Sequence, residues 1–190
     1  MRSSPSIAER LRRWLLLLAL LPLAALGDGS IRYAEIVLSE EGYVVNADVD
    51  LELNARLVDA VSRGVSLYFT AEFEVERDRW YWFDEDVASR KLEFRLSYHA
   101  ITRSYRLSVG SFHQSFDNLD GAVRTMLRIR NWQIAPRSAL RAGTSYNAAL
   151  RMRLDTSLLP RPFQVTTIGS RDWNLGTDWL RWTFLAGAPQ

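Results

Sequence analysis

Strict period-two alternation is the feature that most limits what this chain can fold into. Between residues 43 and 53, Tyr43, Val45, Ala47, Val49, Leu51 and Leu53 are apolar, while Asn46, Asp48, Asp50 and Glu52 fill the positions between. Between 65 and 75, Val65, Leu67, Phe69, Ala71, Phe73 and Val75 repeat the pattern against Glu72 and Glu74. Leu92, Phe94, Leu96, Tyr98 and Ala100 form a third face, continued after a turn at Thr102-Arg103 by Tyr105, Leu107 and Val109. Tyr146, Ala148, Leu150, Met152 and Leu154 form another. Side chains alternate across a strand, so these segments are half-buried strands with one wet face. That is the mark of antiparallel sheets. Two such sheets cover each other's apolar faces when packed face to face. The expected fold is mainly β (α+β), an antiparallel β-sandwich of immunoglobulin-like architecture with two inserted helices.

The helices come from two breaks in the alternation. Residues 54–64 place Leu57, Val58, Val61 and Val65 at helical spacing before Gly64. Residues 117–130 place Leu119, Ala122, Val123, Met126 and Ile129 on one face, with Asp117 or Asn118 as the cap and Arg124 and Arg128 elsewhere on the helix. Both helices are expected to cap edges or ends of the sheets. Glu40-Glu41-Gly42 reads as a hairpin turn from a strand near residues 31–38, and Arg141-Ala142-Gly143 as another turn. Pro160-Arg161-Pro162 ends a strand ahead of an extended segment at 163–168.

Charge matters here through its placement. The chain has 24 Lys+Arg against 22 Asp+Glu, net +2. Arg2, Arg10, Arg12 and Arg13, with Glu9 the one acid among them, precede thirteen uncharged residues at 14–26. That run is shorter than the ~20 apolar residues of a membrane span. Ala25 and Gly27 put small residues at the right places for cleavage before Asp28. Residues 1–27 are therefore predicted to be a secretory signal peptide, with an uncleaved N-terminal membrane anchor as the alternative. Residues 28–190 are predicted to be a single domain, exported to the periplasm. Without the leader, 20 cations face 21 anions, net −1. Acids and arginines then interleave, which leaves no basic stripe suited to nucleic acid.

The absence of cysteine excludes a disulfide framework, a thiol nucleophile, a CxxC zinc site and a lipoprotein thioether. Asp48, Asp50 and Glu52 share one strand face about 7 Å apart, too flat a set to wrap calcium. His99 sits on the polar face of its strand beside Ser97 and Arg95, and His113 follows a strand end. Neither shows a spacing that makes ligands converge with Asp84, Glu85 or Asp86. Asp84-Glu85-Asp86 reads as a turn rather than a general acid and base. Gly143-Thr144-Ser145-Tyr146-Asn147 is not a nucleophile elbow. No metal, cofactor or enzyme activity is expected.

Aromatic residues supply the candidate binding surface. Trp80, Tyr81, Trp82 and Phe83 are consecutive, so a strand there carries aromatics on both faces, and Trp173, Trp179 and Trp182 crowd the C-terminus. Exposed, they suit sugar stacking or protein contact; packed together, they close the sandwich. The candidate binding residues are Trp80, Trp82, Trp173, Trp179 and Trp182.

Three stretches carry a resemblance. They are Arg79-Trp80-Tyr81-Trp82-Phe83-Asp84-Glu85, the run at 95–107 (RLSYHAITRSYRL), and Pro162-Phe163-Gln164-Val165 followed by Ser170-Arg171-Asp172-Trp173-Asn174-Leu175 and Asp178-Trp179. With the leader, they resemble the proteobacterial family filed as domain of unknown function 4390, across essentially the whole exported part. The resemblance brings no catalytic residues. Genes of that family often lie beside a nitrogen-regulation-type sensor histidine kinase, which implies an envelope protein linked to signalling. The expected function is a non-enzymatic envelope protein acting as a protein-interaction module, associated with a sensor histidine kinase. The alternative is a small-ligand or glycan-binding periplasmic protein that uses exposed tryptophans.

Overall fold

The computed structural model describes residues 29–77, 85–160 and 171–187, with the backbone alone for 85, 86 and 171. The predicted leader, the aromatic run 80–83 and the extended segment 163–168 lie outside the described residues. Within them the elements are β1 (Gly29–Leu38), β2 (Tyr43–Leu51), α1 (Ala55–Ser62), β3 (Leu67–Arg77), β4 (Glu85–His99), β5 (Ser104–Val109) and β6 (Phe112–Phe116). Then follow α2 (Leu119–Met126), β7 (Arg128–Ala135), β8 (Ser145–Leu154) and β9 (Leu180–Leu185).

The strands form two antiparallel sheets, β1-β2-β7 and β6-β5-β4-β3-β8-β9. The alternation places one face of each sheet inside. Val45, Ala47 and Ile134 of the smaller sheet and Phe69, Phe73, Leu96 and Leu150 of the larger belong to one buried cluster. Phe73 meets Trp132 of β7 edge-on across the sandwich, with ring centroids 6.0 Å apart. The protein is thus a mainly β, two-sheet sandwich. Among the described residues, the immunoglobulin-like sharing of strands is not seen. β3 to β6 run as a meander inside one sheet, whereas an immunoglobulin domain divides its strands between four- and three-stranded sheets by Greek-key connections.

Each helix carries the chain from one sheet to the other. α1 leads from β2 to β3 and buries Leu57, Ala60 and Val61; α2 leads from β6 to β7 and buries Ala122 and Met126. Their first turns are capped by Asn54 and Asn118, whose side-chain oxygens accept from Leu57 N at 3.1 Å and Gly121 N at 2.8 Å. Such caps satisfy amide groups that the helix cannot pair internally. The turns at Gly42 and Gly143 fall as expected, both glycines at positive φ, and Arg103 takes the same region in the β4–β5 turn.

Three expectations need correction. The helix at 117–130 ends at Met126, and Arg128 and Arg130 lie on β7 instead. The acidic stretch is not a turn at Glu85 and Asp86, which open β4 opposite Arg77 and Glu76; Asp84 lies outside the described residues. His113 sits within β6 rather than after a strand.

Candidate functional site

The tryptophans divide among three environments. Trp173, in a 3-10 turn at Arg171–Trp173, is 5% exposed and belongs to the core. Trp182 on β9 faces inward and is half-buried, its ring 6.2 Å from that of Phe73. Trp179 lies by the outer side of the large sheet, where the Arg151 guanidinium sits 4.4 Å from its ring centroid and that of Arg181 5.8 Å. A cation held there is attracted by the negative face of the indole. Trp80 and Trp82 lie outside the described residues. The structure therefore does not assemble Trp173, Trp179 and Trp182 into one aromatic surface.

Beside Trp179 the outer face carries a built charge cluster. Glu72 of β3 faces out between β4 and β8, yet its residue is only 6% exposed. The register sets Lys91 opposite it on one side and Arg151 on the other. Arg151 Nε donates to Glu72 Oε2, Arg153 Nη2 donates to Oε1 at 3.1 Å, and Lys91 Nζ lies 3.5 Å from Oε1. Burial alone would push this carboxyl up. Hydrogen bonds from Arg153 and Arg151 overcome that and hold it at about 2. Such a group is a fixed anion, unsuited to proton transfer near neutrality. Its three cations and the stacked indole make a rigid patch, with Arg151 shared between Glu72 and Trp179.

The remaining sequence candidates separate. Asp48 pairs with Arg130 at 2.6 Å and Asp50 with Arg32 at 2.7 Å, so cross-strand arginines take these carboxylates. His99 is exposed at the end of β4, its Nδ1 3.2 Å from Thr102 Oγ1. His113 is exposed on β6. Both line a pocket with serines and arginines and, among the described residues, no carboxylate. Among the described residues, no group of three or more histidines and acids is placed to hold a metal.

The sheet edges differ in a way the sequence reading missed. Among the described residues, four strands border the sheets: β1, β7, β6 and β9. β1 carries Arg32 and Glu35, is bulged between Ile31 and Tyr33, and is bridged at Gly29 to Thr177. β7 is charged and irregular, with Asn131 at φ 51°. β6 has five residues, His113, Gln114 and Ser115 at its centre. Charges, bulges and shortness are how edges are kept from pairing. β9, Leu180-Arg181-Trp182-Thr183-Phe184-Leu185, is one residue longer than β6, has no bulge and carries a single charge, Arg181, and Leu185 is 69% exposed. Ala186 N donates to Thr144 O at 3.0 Å. Counting back in the regular register from that bond, the N–H groups of Phe184, Trp182 and Leu180 turn to β8. Those of Arg181, Thr183 and Leu185 turn to the outer edge. The alternation of Leu180, Trp182 and Phe184 with Arg181 and Thr183 is the signal that marks this strand in the sequence.

A two-sheet domain with an apolar border strand and a charge-locked outer face is the class that this geometry defines. The chain belongs to the family described as "Domain of unknown function (DUF4390)", whose model matches residues 28–183. No curated protein and no solved structure matches the chain. No helix among the described residues is long and apolar enough to cross a membrane.

Proposed function

We propose that the protein is an exported, non-enzymatic envelope module that binds an extended segment of another protein by strand addition along β9. The observation that carries this reading is the β9 edge. It is regular in register, carries one charge and exposes Leu185, and its alternate residues Leu180, Trp182 and Phe184 are apolar. β6, also regular and with Phe112 exposed, is polar at its centre. An added strand gains main-chain hydrogen bonds from the edge and seats alternate side chains on either face. Leu185 and Thr183 would meet one set of those side chains and the rims of Trp182 and Phe184 the other. Export is supported by the arginine-led apolar run and by the start of the family match at residue 28, where cleavage is expected. An extracytoplasmic segment of a sensor histidine kinase is the first partner to try. Sugar stacking asks for an open indole face, and Arg151 lies over one face of Trp179.

The test is crosslinking in intact cells followed by affinity capture, with the wild-type protein and with Leu185→Lys. The substitution places a charge on an exposed edge position and leaves the core untouched. The wild type should return a specific envelope partner that Leu185→Lys loses while keeping its circular dichroism. Equal capture by both, or no specific partner for the wild type, would sink the reading.

A further inference from the structure

At the other end of the large sheet, β4, β5 and β6 turn a row of basic and hydroxyl side chains outward. The register sets Arg95 opposite Ser108 and Ser108 opposite His113, with Ser97 opposite Arg106 in the next row. Neighbouring strands are about 5 Å apart and alternate residues about 7 Å apart. Arg95, Arg106 and His113 therefore surround Ser108 at near-neighbour spacing. Gly64 and Ser66 wall one side, and the partly open pocket is about 250 Å³. Arg95 is already oriented, its Nε and Nη2 donating to Ser66 Oγ at 3.3 and 3.2 Å.

Two observations say what this pocket lacks. No carboxylate lines it, and neither Arg95 nor Arg106 has an acid within ion-pair distance among the described residues. Glu93, two positions before Arg95 on the same face, is outside the lining. In addition, Arg106 Nε is shielded from solvent with no hydrogen-bond partner in the described structure. That atom has almost no accessible surface, so a ligand in the pocket would meet the Arg106 guanidinium through its Nη groups. The contrast with Glu72 is informative: there the same sheet supplies the carboxylate that its arginines need, and here it does not.

We propose that this pocket is an oxyanion site that takes a phosphate group, borne by a soluble ligand or by a lipid headgroup. Two guanidinium forks and a ring of hydroxyls match the several acceptor oxygens of phosphate. The volume is smaller than a drug-sized cavity, so it admits the anionic group and leaves the rest of its carrier outside. The site is at the opposite end of the sheet order from β9, so either proposal can fail without the other.

The experiment titrates inorganic phosphate into the purified protein by calorimetry at constant ionic strength, with Arg106→Gln, Ser108→Asp and, as a control on an exposed turn, Arg141→Gln. The wild type and Arg141→Gln should bind phosphate, and Arg106→Gln should weaken it at least about tenfold, as loss of a charge-assisted bond does. Ser108→Asp sets a carboxylate in the pocket centre and should abolish binding. A second arm offers phosphatidylcholine vesicles with and without phosphatidic acid. Capture only by the phosphatidic acid vesicles, reversed by Arg106→Gln, assigns the phosphate to a lipid; phosphate binding without capture assigns it to a soluble ligand. Absence of both, or equal affinity in the wild type and the pocket variants, overturns the proposal.

Discussion

Glu72 shows how one side chain can be both buried and charged. Its carboxylate sits under three cations contributed by the strands on either side, and the hydrogen bonds from Arg151 and Arg153 offset the loss of water. Because the folded group titrates near 2, below its ordinary 4.5, its stabilisation is fully present above about pH 4.5. It is lost as pH falls toward 2. Glu72→Gln should cost about 3 kcal/mol at pH 7, since it leaves facing guanidinium groups without their anion. Urea unfolding of both proteins across pH should show the difference shrinking through that acid window; a gap constant down to pH 2 would contradict it. That Glu72 lies on the polar face of its strand was legible in the alternation. That Glu72 in particular would be buried was not, because burial there depends on which strands flank β3, and strand order is not written in local pattern. The same limit applies to Arg95 and Arg106, whose convergence with His113 exists only once β4, β5 and β6 are paired.

Among the elements, the regular strands were the readable ones, and the misread segment shows why. In β7, Asn131 at positive φ and the bulge opposite β2 break the alternation, so Ile129 stands three residues from both Met126 and Trp132. Three-residue spacing continues the face of α2, and the sequence therefore mimics a longer helix. β9 was hidden for a different reason: its one tryptophan, Trp182, draws attention as part of a cluster with Trp173 and Trp179 rather than as one of every second residue of a strand. The edge geometry makes its own prediction. If Thr183 N–H points outward, Thr183→Pro removes no ladder bond and should destabilise by about 1 kcal/mol, mostly the lost hydroxyl bond to Asn147. It should still abolish partner capture, because the edge loses its central donor. Thermal unfolding and the crosslinking assay read these together. A loss above about 3 kcal/mol would place that amide inside the ladder.

For the molecule as a whole, the two sheets are joined by a short strap after the 3-10 turn at Arg171–Trp173. Trp173 and Leu175 drop into the common core from it. Its backbone ties to β8 through Leu154 N to Leu175 O and Thr177 N to Met152 O, each 2.8 Å, and Thr177 Oγ1 accepts from Met152 N at 3.1 Å. Thr177 also bridges to Gly29 at the start of β1, so the strap touches both sheets. Gly176 makes this approach possible: a Cβ there would stand 2.9 Å from Met152 O and 3.0 Å from Arg153 Cβ. Gly176→Val must push the strap off β8, weakening the burial of Trp173 and Leu175 at once. The expected loss is about 2–3 kcal/mol, in the range of strained backbone and core disruption. Because both sheets share one buried cluster, the loss should appear as an earlier single transition, coincident by tryptophan fluorescence and far-ultraviolet circular dichroism. If fluorescence instead changes ahead of the circular dichroism in the wild type, the strap opens by itself, and the two sheets hold together without it.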